Sequence, residues 1–147
     1  CLSKGLGAPI GSMLVGSEEF ILKARRVRKR LGGQMRQVGI LASAGILALT
    51  EGVERLPEDH ALAKSIAQRI AKEVPTLQPT HEVQTNILIY KLPKGKDPND
   101  LAASLAKEDV LVCPFPGNSV RIVTHLDVAE DEAERLISAL KAYFENN

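Results

Sequence analysis

Residues 38–49, VGILASAGILAL, carry no charge and present apolar groups on nearly every side of a helix. A helix of this kind, expected over about residues 35–49, has no polar side to give to water, so it belongs in an interior or at a subunit interface. Gly39, Ala42, Ser43 and Gly45 are small enough to permit close packing there, despite the helix penalty of glycine. The run is well short of the ~20 apolar residues that span a bilayer, so a buried helix of a soluble protein is expected and no membrane partner.

The rest of the chain is patterned around that helix. Residues 10–15 read as a short buried strand leading to Gly16. Ser17 can cap a helix with Glu18 and Glu19 in its first turn and Phe20, Ile21, Ala24, Val27 and Leu31 at helical spacing, ended by Gly32 and Gly33. Lys23, Arg25, Arg26, Arg28, Lys29 and Arg30 crowd its other face and last turn. Such a cluster suits nucleic acid or the carbonyl end of a helix dipole; with no aromatic residues interleaved for base stacking, the dipole reading is preferred and no nucleic-acid partner is expected.

After Glu51 and Gly52 a polar helical stretch is expected to about residue 74, begun or kinked at Pro57, with Leu62, Ile66 and Ile70 on one stripe. From residue 75 the pattern changes. Residues 84–90 are β-rich, and Asp97-Pro98 supplies a cap and first position for a helix to about residue 107. Residues 110–113 and 119–124 read as strands joined by a turn at 114–118. Asp127-x-x-Glu130 resembles a capping box before a last apolar-faced helix. The order β-α-β-β-α makes a small α+β unit.

Composition narrows the class. The 147 residues suffice for a domain with its own core, and a net charge of +1 gives no general polyanion signature. Cys1 and Cys113 form neither a disulfide framework nor a metal knuckle, and His60, His81 and His125 lack ligand spacing. A reduced cytoplasmic setting without a catalytic metal is expected. The chain opens on Cys1, and its methionines, Met13 and Met35, lie within patterned segments, so a longer protein is expected.

Three basic residues stand out for chemistry. Lys4 lies in the glycine-rich run SKGLGAPIGS, where Ser3, Gly5, Gly7 and Gly11 suit either a solvated turn or a lysine held against a flat cofactor. Arg36, at the expected amino end of the apolar helix, opposes the dipole unless an anion sits beside it; a phosphate, a substrate carboxylate or an internal acid would each answer. Arg121, flanked by apolar Val120, Ile122 and Val123, is either an exposed strand arginine or a two-point grip on a carboxylate.

Taken together, residues 3–12, Val15-Gly16, the basic helix, the run GGQMRQ at 32–37, Thr85-Asn86 and the run VRIVTHLDV at 120–128 closely resemble the low-specificity L-threonine aldolases, in order and over essentially the whole chain. Gln34 departs from the family, which usually has a third glycine there. The resemblance implies an α/β fold for the full enzyme, of the pyridoxal-phosphate-dependent transferase-like type. This chain would be the carboxyl-terminal part of its large domain (1–50), a connecting helix (51–75) and a small α+β domain (76–147).

It further implies that Lys4 holds pyridoxal 5'-phosphate, that Arg36 contacts the cofactor, and that Arg121 binds the substrate carboxylate with Lys29 near the active site. The implied activity cleaves L-threonine or L-allo-threonine to glycine and acetaldehyde in a homo-oligomer. A β-elimination or a bulkier β-hydroxy amino acid on the same scaffold is the alternative. The base for the hydroxyl proton is unidentified, since a water or a residue outside this chain fits as well. Family members place further cofactor contacts upstream of the lysine, so this chain alone is expected to be inactive, with Lys4 frayed near a free end.

Overall fold

The computed structural model describes residues 1–145, which form two compact units divided between Leu56 and Pro57. In the first, Ser17 adopts the extended backbone of an N-cap and its hydroxyl accepts the Phe20 N–H at 3.3 Å, so α1 (Glu18–Arg30) starts where its sequence cap lies. Acidic residues occupy its first turn and Arg28, Lys29 and Arg30 its last, each opposite in sign to that end of the dipole. The helix closes when Gly33 donates to the Arg28 carbonyl at 2.8 Å and Gly32 to that of Lys29 at 3.2 Å. This Schellman closure needs the left-handed backbone of Gly32, φ +78°.

In this unit one expectation fails and the apolar helix is shorter than expected. Residues 10–15 form no strand, and Ile10, Met13, Leu14 and Val15 are exposed. A strand needs a ladder partner, and no strand among the described residues pairs with this segment.

The apolar helix α2 is confined to Gly39–Leu47, because residues 33–37 stay irregular and Gln37 adopts φ +49°. It is also uncovered: Ile40 is 82% and Ile46 64% exposed, and Gly45 is its one buried residue. The small core of this unit, Leu2, Ala8 and Ala48 with Leu6 against them, is too slight to cover it.

No break follows at Gly52. A π-helical turn, Ala48–Gly52, carries the chain into α3 (Val53–Glu73), and Pro57 lies inside that helix. Proline lacks the N–H for the helical ladder, so it weakens the backbone at the point where the two units divide.

The second unit is built on a four-stranded antiparallel sheet in the order β1-β2-β4-β3, formed by β1 (Gln78–Pro79), β2 (Ile87–Lys91), β3 (Cys113–Phe115) and β4 (Ser119–Val123). Strand alternation turns Leu88, Tyr90, Val120 and Ile122 inward. Ala63, Ile66 and Ile70 of α3 join them in one buried cluster with Leu101 and Leu105 of α4 (Pro98–Ala106) and Leu136 and Leu140 of α5 (Glu130–Glu145). Each buried leucine, isoleucine or valine among them stabilises by about 1.5–3 kcal/mol.

Details of this unit depart from the pattern too. β3 begins at the end of the expected strand and runs into the expected turn, because Gly117 (φ +80°) and Asn118 (φ +59°) make the reversal late. Pro114 is tolerated because β3 is an edge strand. Asp97 does cap α4, accepting the Asn99 N–H at 2.8 Å. Asp127 does not cap α5; the Glu132 carboxylate accepts the Ala129 N–H, so the reach-back half of a capping box sits two residues later than expected.

Candidate active site

Lys4 opens a tight turn rather than a loose end. Gly7 donates to its carbonyl at 2.9 Å, Ala8 to that of Leu2 at 3.0 Å, and Leu2 to that of Gly11 at 2.9 Å, closing residues 2–11 on themselves. Gly7 (φ +75°) and Gly11 (φ +118°) take backbone conformations that other residues rarely adopt. From the far side the turn is buttressed at Gly52, where a Cβ would stand 3.0 Å from the Leu6 carbonyl oxygen. The Lys4 side chain is exposed, and its Nζ has no hydrogen-bond or ion-pair partner among the described residues.

Lys29 and Arg36 belong to the same unit. Lys29 lines a shallow hollow with Arg25, Arg26, Arg30 and Gln34. Arg36 is exposed in the irregular segment two residues ahead of the α2 cap, Val38, so the sequence argument that placed it on the helix end is corrected. An apolar groove of about 490 Å³ runs between Leu2, Met13, Met35 and Leu49. Neither Lys4 nor Arg36 lines that groove or the hollow.

In the second unit Arg121 stands mid-strand in β4, in register with Ile89 of β2 and Cys113 of β3. Alternation puts it on the sheet face opposite the core. Its guanidinium carbon lies 5.8 Å from the centroid of the Phe115 ring, inside the range of a cation–π contact. Its Nε is shielded from solvent and has no acceptor among the described residues. A buried donor without a partner is costly, and an incoming anion would relieve that cost.

Neighbouring polar residues are absorbed by structure. Asn86 donates from Nδ2 to the Thr124 carbonyl at 2.7 Å, and Thr124 returns its N–H to the Asn86 carbonyl at 3.0 Å. His125 accepts the Asp127 N–H at 3.3 Å on Nδ1. Phe115 falls in the expected turn at 114–118, so the sequence does not point to it; its place two residues beyond Cys113 on one strand is the available signal.

The fold of the chain is that of part of an aminotransferase. It matches the crystal structure of an archaeal alanine:glyoxylate aminotransferase with a TM-score of 0.66 and 20% identity, covering 99% of this chain and 40% of that one. In sequence it is 39% identical over 148 residues to a probable low-specificity L-threonine aldolase 2 of Arabidopsis thaliana, and 39% identical over 143 residues to a low specificity L-threonine aldolase of Escherichia coli. These matches cover 98% and 97% of this chain, which spans 41% of the length of either relative. The family model described as beta-eliminating lyase matches residues 1–92, and the chain belongs to that family.

Proposed function

We propose that this chain is the carboxyl-terminal part of a pyridoxal-phosphate-dependent aldolase that cleaves L-threonine or L-allo-threonine to glycine and acetaldehyde. The observation that carries this reading is Lys4: an unpartnered amine on a glycine turn closed by three main-chain hydrogen bonds, in a chain similar to two threonine aldolases. The exposed cations Lys29 and Arg36 suit the anionic groups of cofactor and substrate. In this reading residues 1–50 end the cofactor domain, 51–75 connect and 76–147 form the small domain; the division found at Pro57 lies within that connector.

The unpartnered Lys4 amine on its closed glycine turn supports the cofactor reading. Lys4 would hold its aldehyde carbon, with Arg36 toward its phosphate. When bound, pyridoxal phosphate supplies an electron-poor ring that takes up the pair released as the substrate Cα–Cβ bond breaks. Arg121 would grip the substrate carboxylate and so fix which bond at Cα is poised to break. Lys29 adds positive charge near the same anions. We place the enzyme in the cytoplasm as a homo-oligomer, in keeping with two free cysteines and an apolar α2 left open in one chain. No described helix is long and apolar enough to cross a membrane.

The family match favours one second reading, a β-elimination on the same scaffold. Products separate the two: glycine and acetaldehyde from L-threonine support the aldolase, whereas a keto acid and ammonia support elimination. In the complete protein, Lys4→Ala should remove turnover and the covalent link between protein and cofactor, read as loss of the cofactor mass from the borohydride-reduced chain. Full turnover in that variant would end the assignment of Lys4.

A further inference from the structure

We infer that Phe115 is a positioning residue for Arg121, its ring holding the guanidinium in one plane before substrate arrives; this rests on the proposed role of Arg121 as carboxylate binder. β3 and β4 are paired with Cys113 opposite Arg121 and Phe115 opposite Ser119. Phe115 is therefore the diagonal neighbour of Arg121 on one sheet face, a relation within reach of long and aromatic side chains. The guanidinium carbon is 5.8 Å from the ring centroid.

Folding does not account for this ring. Phe115 is 38% exposed, stands outside the buried cluster of its unit, and occupies the last position of an edge strand. Its use lies in what a ring face does to an arginine. An acidic neighbour would fix the side chain by consuming N–H donors, whereas an aromatic face attracts the cation and takes none of them. Arg121 is thus restrained with its in-plane fork free for a two-point contact. Its shielded Nε, which has no acceptor among the described residues, is a donor that a carboxylate could satisfy.

The test is steady-state kinetics on L-threonine in the complete, cofactor-loaded protein, with four forms compared. Arg121→Ala should raise KM steeply. Phe115→Leu keeps apolar bulk but loses the ring, and should raise KM about two- to fivefold with kcat little changed. Phe115→Tyr keeps the ring and should restore the parent KM.

If Arg121→Ala raises KM but Phe115→Leu leaves it unchanged, the positioning role is overturned and the carboxylate role stands. If Arg121→Ala leaves KM unchanged, the carboxylate role falls and takes the inference with it. Equal rises for Leu and Tyr would mean that shape matters and the ring does not, again overturning the inference. Should Phe115→Leu fail to fold, the Arg121 Nε–H proton resonance of the unsubstituted protein decides: an upfield ring-current shift supports the geometry, and an ordinary position refutes it.

Discussion

Thr124 donates from Oγ1 to the main-chain carbonyl of Asp59 at 2.7 Å, joining the residue after β4 to α3 across 65 positions of sequence. Both residues are buried, and Asn86 holds the Thr124 peptide from the other side. The end of the strand that carries Arg121 is therefore tied to α3 by the Thr124 hydroxyl and to the start of β2 by Asn86. Thr124→Val keeps the shape and removes the donor, and should lower stability by about 1–2 kcal/mol. Thr124→Ser keeps the bond and loses one methyl, at a cost of about 1 kcal/mol. Urea unfolding midpoints check both, and a Val variant as stable as the parent would show that the bond contributes nothing net.

The Lys4 turn gives a second test. Alanine at Gly52 would gain about 1 kcal/mol of helix propensity, yet its Cβ would meet the Leu6 backbone, 3.0 Å from O and 3.4 Å from Cα. At Gly5 the neighbour is only the Leu56 side-chain end, at 3.0 Å, which can swing away. Gly52→Ala should therefore impair turnover of the complete protein clearly more than Gly5→Ala. Initial-rate measurements at saturating cofactor decide it, and equal effects would remove the buttressing role of Gly52.

What sequence could foresee divides along physical lines. Ser17 and Asp97 act within their own helix turn, so their caps were legible. Residues 10–15 form no buried strand, because burial depends on neighbours that periodicity does not name, and for α2 the interior is excluded in this chain while the subunit interface stays open. Arg36 slipped off its helix because Gln37 takes a left-handed backbone, a choice made by the local loop rather than by hydrophobic spacing. The proposed roles of Lys4 and Arg121 rest on motifs; the Phe115 contact is not legible in sequence, since it depends on the register of β3 against β4.

Glu73 sets an acid limit on the second unit. It accepts from Lys141 Nζ at 3.2 Å and from Arg69 Nε at 3.4 Å, while Arg69 also reaches Glu134 at 2.8 Å, tying α3 to α5. The Lys141 hydrogen bond, with Arg69 adding to it against partial desolvation, holds the Glu73 carboxyl below its usual range. A carboxyl with a depressed folded-state pKa contributes stability that is complete above its unfolded value, roughly 4.3, and lost as pH falls through the lower folded value. The melting temperature should therefore fall on acidification below about pH 4, and fall less steeply in Glu73→Gln. Parallel pH profiles for the two proteins would contradict this.

The open face of α2 makes opposite predictions in two settings. Ile40 and Ile46 present large apolar side chains to solvent in this chain, beside an apolar groove lined by Met35 and Leu49. Exposed apolar surface of this kind drives association, so the chain expressed by itself should scatter light and bind hydrophobic dye, and Ile40→Lys should reduce both. In the complete protein, where we propose that this helix is covered, the same change buries an unpaired ammonium and removes about 1.5–3 kcal/mol of apolar burial. There Ile40→Lys should lower the melting temperature by several degrees or block assembly. Sedimentation and thermal unfolding of both forms test the pair of outcomes, and a harmless substitution in the complete protein would mean that α2 faces water there as well.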